Sequence, residues 1–272
     1  MTNKKTKLES SENPKLLYIV GRGHSGSTLL ELLLDRSPNF SAMGELSLFN
    51  LQLSRTEESP WIGRCSCGKR VAECQYWLTI IHSVEETFGK NVRTHPFSWR
   101  VTDVGKEEDY GWKAPLSMLR YLCHRIIRRT THRVFDNPPL LYKMMYRQWF
   151  ENRAHLARKY AEITHAQVVI DASKDPVDLQ DFLSLTDLPI KILFITRNVK
   201  GVAASTARRT NLSPVSEAHD WVRVNTRIIR ALEKYDTNDW IQVKYEDLCA
   251  DPNGTLNRIA DFAEVDTDFS GL

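Results

Sequence analysis

Gly21-Arg22-Gly23-His24-Ser25-Gly26-Ser27-Thr28 is the segment of this 272-residue chain whose residue types and spacing point most directly to chemistry. It follows the phosphate-loop spacing G-x-x-x-x-G-K-[ST], in which backbone amides cradle an anion, except that Ser27 stands at the lysine position. That lysine reaches the β and γ phosphates of a triphosphate, so its loss argues against such a ligand. A ligand with one phosphate and one sulfate needs less charge and no obligatory metal. A second anion-binding candidate is the pair Arg197 and Ser205 in TRNVKGVAAS, where a planar fork of donors is followed by a hydroxyl on the next helix. Glu45, in SAMGELSLF, is a candidate general base, with His24 as the fallback. Lys174, closing Asp171-Ala172-Ser173-Lys174, is a candidate for stabilising developing negative charge.

These groups need elements that aim them at one place. Residues 16–20 (LLYIV) form a short apolar run ending in glycines, which reads as a buried parallel strand, and residues 28–35 (TLLELLLD) read as the helix that follows the loop. Strand, glycine-rich turn and helix in that order bring exposed amides and a positive helix end together. Further strands are expected at residues 167–170, 190–196 and 240–243, with a helix at 220–234. Alternation of this kind predicts an α/β fold: a parallel β-sheet flanked by helices, P-loop-like, whose ligand edge is the carboxyl end of the strands. Residues 1–15 read as a polar tail, and 16–272 as a single domain with a helical insertion over about residues 50–165. Helices are expected in that insertion near 76–88, 117–129 and 141–163.

At His24-Ser25-Gly26-Ser27-Thr28-Leu29-Leu30 the sequence resembles the sulfotransferase family, whose loop has the form [KR]-[ST]-G-[ST]-[ST]-x-L after the first strand. The resemblance includes bacterial carbohydrate-directed and general members. It implies the donor 3′-phosphoadenosine 5′-phosphosulfate as co-substrate, with no metal required. Arg22, Gly23, His24, Ser25, Gly26, Ser27 and Thr28 then hold its 5′-phosphosulfate, and Arg197 with Ser205 hold its 3′-phosphate. The family usually places Lys or Arg at the position of His24, so His24 or Arg22 is the cation facing the bridging oxygen. Glu45 resembles the Gly-Glu that supplies the base in several members, and the Asp171 to Lys174 segment resembles one lying near donor and acceptor. Tyr245-Glu-Asp-Leu248 also resembles a family element, with no catalytic role assigned. Family members usually continue beyond the last helix with a segment that closes over the donor, whereas this chain stops at Leu272.

The bulk numbers narrow the partners. A formal net charge of +3 is too small for a nucleic-acid binder, and no run approaches the roughly 18 apolar residues that span a bilayer. Five cysteines and no apolar leader fit a reducing, cytoplasmic setting. Cys65, Cys67 and Cys74, before Trp77, resemble an insertion of some bacterial members; with His82 they have zinc-ligating chemistry but not a standard spacing. The basic run 124–133 (HRIIRRTTHR) reads as a solvated helix face, or as a surface for an anionic acceptor. The resemblance implies a small-molecule or carbohydrate acceptor bearing a hydroxyl or amine, which the sequence does not identify. A phosphate-loop kinase and a non-catalytic nucleotide binder are the competing readings.

Overall fold

The computed structural model describes residues 14–54, 65, 67–102, 114–135, 137–208 and 213–270. Among them, strands β1 (Lys15–Gly21), β2 (Phe40–Ala42), β3 (Val168–Lys174), β4 (Ile190–Thr196) and β5 (Trp240–Lys244) form one sheet in the order β2-β3-β1-β4-β5. Each neighbouring pair is parallel. β1 is central, and its side chains alternate between two cores as a strand's period of two requires. Leu16, Tyr18 and Val20 pack with helices α5 (Leu140–Thr164), α6 (Pro176–Leu185) and α8 (Pro214–Leu232). Leu17 and Ile19 pack on the opposite face with α1 (Ser27–Leu34) and α10 (Pro252–Phe262). Burial on both faces is why LLYIV is apolar throughout.

The remaining helices are α2 (Phe49–Ser54), α3 (Gln75–Phe88), α4 (Ala114–Val134), α7 (Val199–Ala207) and α9 (Tyr245–Ala250). The α/β fold and the helical insertion match the expectation, with shifted boundaries. β1 begins at Lys15, whose ammonium bonds the Ala263 carbonyl at 3.0 Å; residues 1–13 of the expected tail lie outside the described residues. α8 starts at Pro214, not near 220, because Ser213 caps it by accepting from the Ser216 amide at 3.2 Å. β3 runs on through the polar Asp171 to Lys174, beyond the apolar run.

That continuation depends on a buried charge network. Arg153 of α5 is 1% exposed and donates to Asp171 of β3 at 2.9 Å and to Asp178 of α6 at 2.7 Å. Its guanidinium also lies 4.6 Å from the centre of the Phe182 ring. Arg128 of α4 donates to Asp181 at 2.7 Å and to Asp178 at 2.6 Å, and Tyr142 and His132 also meet Asp181, at 2.6 and 2.7 Å. Burial alone would raise the Asp178 carboxyl, but Arg128 and Arg153 hold it down at about 2. The basic run is therefore only partly a solvated face, since Arg128 and His132 point inward, each 6% exposed.

Removing Arg153 would take from the buried Asp171 the guanidinium that meets it and leave Asp178 with Arg128 alone, and breaking a buried pair in this way usually costs about 3–5 kcal/mol. Arg153→Ala is expected to lower unfolding stability in urea by that amount, whereas Arg158→Ala, which breaks an exposed pair with Asp187, is expected to change it by less than about 1 kcal/mol. Equal effects would show that the buried network does not hold these layers together.

Candidate active site

The loop between β1 and α1 is shaped by close approaches that exclude side chains. A Cβ on Gly21 would stand 2.7 Å from the Ile195 carbonyl oxygen, so glycine lets β1 and β4 end side by side. Gly26 has a φ of 94°, and a Cβ there would stand 2.2 Å from the Tyr245 ring. His24 also adopts the left-handed region, at 67°. Gly23 faces open space. No side chain caps the start of α1 and its first turn carries no acid, so its amides and positive dipole end face the loop. Ser25 and Ser27 are buried, and the Ser25 hydroxyl has no hydrogen-bond partner among the described residues, while Thr28 is exposed.

Arg22 is engaged by α8. Its guanidinium forms ion pairs with Glu217 and Asp220 of α8, each at 2.8 Å, so two carboxylates already balance its charge.

At the end of β4, Arg197 stacks 4.2 Å from the centre of the Tyr245 ring and donates to the His24 carbonyl at 3.3 Å. A Cβ on Gly201 would meet the Arg197 Nε at 2.8 Å, so the side chain lies across the first turns of α7. Ser205 is one helical turn beyond Gly201 and shares its face. The eight-residue spacing thus puts the hydroxyl on the face that carries the guanidinium. Tyr245 is the residue that sequence reasoning underrated: it covers Gly26 and Arg197 together, and Glu246 beside it accepts from the Asn198 amide at 2.9 Å. Its signals were an aromatic residue directly after a short strand and the resemblance of residues 245–248 to a family element, to which no catalytic role was assigned.

Lys174, at the end of β3, meets Glu45, which lies three residues beyond the end of β2. β1 and β3 lose register between Tyr18 and Val20, where β3 fits one extra residue, and this bulge leaves Lys174 at a φ of 68°. The Lys174 ammonium pairs with the Glu45 carboxylate. Glu45 is placed by its successors: the Leu46 amide donates to Asp171 at 3.3 Å and the Ser47 amide to Ser173 at 3.0 Å. Ser173 itself is taken up by Asp171 and Arg153.

Behind this pair lies Glu31 of α1, a group the sequence did not single out. Burial raises its carboxyl to about 8, Lys174 opposes the shift, and Glu45 and Asp171 add to it. Cys65, Cys67 and Cys74, which have ligating chemistry but were assigned no metal from the sequence, have converging sulfurs, but His82 does not join them; it pairs with Glu86 on the exposed face of α3. On another side, Arg129 and Arg133 of α4 with Arg223, Arg227 and Arg230 of α8 line a groove of about 660 Å³ beside the start of α6. Burial and the nearby Arg125 and Arg227 loosen the proton of Arg129.

The Glu31 shift has a definite sign. Its folded value lies above the unfolded one, so the native state holds the extra proton between about 4.5 and 8 and stability falls as pH rises through that window. Glu31→Gln is expected to flatten this part of the stability-against-pH curve, measured by urea unfolding at several pH values. An unchanged slope would show that Glu31 ionises freely in the native protein.

The family model described as "Sulfotransferase family" matches residues 15–269. A search of curated proteins finds no match. Among solved structures, the sulfotransferase domain of the Synechococcus PCC 7002 olefin synthase is similar, at 21% identity and a TM-score of 0.50, over 94% of this chain and 75% of that one. The sulfotransferase domain from the curacin biosynthetic pathway is similar at 18% identity and a TM-score of 0.52, again over 94% and 75%. At these identities the likeness concerns the fold.

Proposed function

The chain belongs to the sulfotransferase family, and we propose that it transfers a sulfuryl group from 3′-phosphoadenosine 5′-phosphosulfate to a hydroxyl or amine of an acceptor. The observation that carries this reading is that two anion-binding features meet through Arg197: it stacks on the tyrosine that covers Gly26 and bonds the His24 carbonyl. The uncapped start of α1, with Gly23, Ser25, Ser27 and Thr28, takes the 5′-phosphosulfate. Arg197 and Ser205 take the 3′-phosphate. Arg22, already balanced by Glu217 and Asp220, serves as a tether from the loop to α8 rather than as the donor's cation.

In the reaction the acceptor oxygen or nitrogen attacks sulfur, and the bond from sulfur to the bridging oxygen breaks. Its electron pair leaves on the phosphate of the departing 3′-phosphoadenosine 5′-phosphate. Glu45 takes the acceptor's proton. Its pairing with Lys174 holds the carboxylate at the end of β3, and Lys174 can follow the charge to the bridging oxygen as it develops. His24 is the alternative base. None of these steps calls on a metal. An anionic acceptor would find its complement in the arginine-lined groove beside α6.

Calorimetry tests the donor. Arg197→Ala is expected to weaken 3′-phosphoadenosine 5′-phosphate by about 10- to 150-fold, the worth of a charge-assisted contact, while adenosine 5′-phosphosulfate loses little. Equal losses would remove Arg197 from the 3′ site. Binding of ATP with magnesium in preference to both nucleotides would favour the kinase reading.

Turnover with labelled donor and a mixed acceptor library tests the base. Glu45→Gln keeps size and hydrogen bonding, so donor affinity should hold while transfer falls by about 100- to 10,000-fold. Transfer at the wild-type rate would pass the role to His24.

A further inference from the structure

Cys65, Cys67 and Cys74 lie outside the transfer chemistry, yet their sulfurs are all within 4.8 Å of one another. The Cys74 sulfur is 3.4 Å from that of Cys65 and 3.6 Å from that of Cys67. Thiolates bound tetrahedrally at about 2.3 Å from a zinc ion stand about 3.8 Å apart, so the triangle is close to one face of such a site. A disulfide would join only two of the three sulfurs, at about 2.05 Å, and leave the third beside it without a role.

The backbone is arranged to present them. The Cys65 amide donates to the Lys69 carbonyl at 2.8 Å and the Gly68 amide to the Cys65 carbonyl at 2.9 Å, which closes a tight turn carrying two of the thiols. Gly68, at a φ of 82°, supplies the left-handed residue that this turn needs. The third thiol comes from the first residue before α3, where Cys74 is 1% exposed. The Lys69 amide bonds the Cys67 sulfur, the kind of outer contact that steadies a bound thiolate. Three thiolates this close repel one another unless a cation sits among them.

We propose that Cys65, Cys67 and Cys74 form a trithiolate site for a soft or borderline divalent cation, zinc first, whose fourth position opens to solvent on the exposed Cys67 side. Each thiol releases its proton as it binds. The site ties the 65–74 turn to the start of α3, whose Trp77 ring lies 5.4 Å from that of Tyr160. The Tyr160 hydroxyl in turn donates to the Ala42 carbonyl at 3.0 Å, at the end of the strand that leads to Glu45. The role is structural: the ion fastens the insertion against the strand that leads to the candidate base. It stands apart from the assignment of the donor.

The test uses the full chain, reduced, stripped with a chelator and titrated with Co²⁺. One Co²⁺ per chain is expected, with thiolate-to-cobalt charge-transfer absorption that zinc abolishes, and zinc should raise the melting temperature. Cys67→Ser, at an exposed position where folding is checked by circular dichroism, and Cys65→Ser should lose the band and bind more weakly by over the roughly 10- to 100-fold typical of an outer-contact loss. Cys249→Ser, remote from the cluster, should behave as wild type. Reduced protein with five titratable thiols that gives no charge-transfer band overturns the proposal. So does a Cys67→Ser variant with wild-type stoichiometry and affinity.

Discussion

A guanidinium shut away from water has to be met by carboxylates, and Arg153 is met by Asp171 of β3 and Asp178 of α6. Much of the candidate site follows from that pairing. Arg153 takes one carboxylate oxygen of Asp171, and the other accepts from the Leu46 and Ser173 amides. Those two bonds set where the chain passes on either side of Glu45 and Lys174. The same arginine, with Arg128, joins α4, α5 and α6 through the aspartates of α6. A buried network of this kind is poor evidence of extra stability, since apolar residues can fill such space as well. Its effect here is geometric: it fixes the insertion against the strand ends in one arrangement.

Around the loop the constraint is steric instead. Gly21 and Gly26 are required where Ile195 and Tyr245 come within contact of the backbone, and Gly201 where Arg197 lies across α7. Tyr245 is common to two of these approaches, so one ring joins the loop, the end of β4 and the start of α9. An anion held here would be gripped mainly by backbone amides and one forked cation.

Lys174 faces two acids that are held differently. Glu45 is 40% exposed along its side chain and pairs with the ammonium directly, whereas Glu31 is buried and favours its protonated form.

Four of the five described strands, the parallel direction of the sheet and the loop were legible in the sequence, because apolar runs ending in glycine or in a polar pair read as buried strands with ligand-facing ends; the three-residue β2 carries no such run. The Arg197 to Ser205 spacing was legible too, since two helical turns return to one face. Other features needed distant partners. Nothing local shows that Arg128 and His132 leave the solvated face for Asp178 and Asp181, or that Arg22 turns to α8. The bulge that aims Lys174 depends on β3 pairing with β1, and the pull of burial on Glu31 depends on what packs above α1. Pattern and spacing therefore determined which elements form and which residue types reach the carboxyl edge. Long-range packing alone decided which charges neutralise each other and which remain for a ligand, because a charge's role depends on its nearest opposite charge and its access to water, and neither is a property of the local sequence.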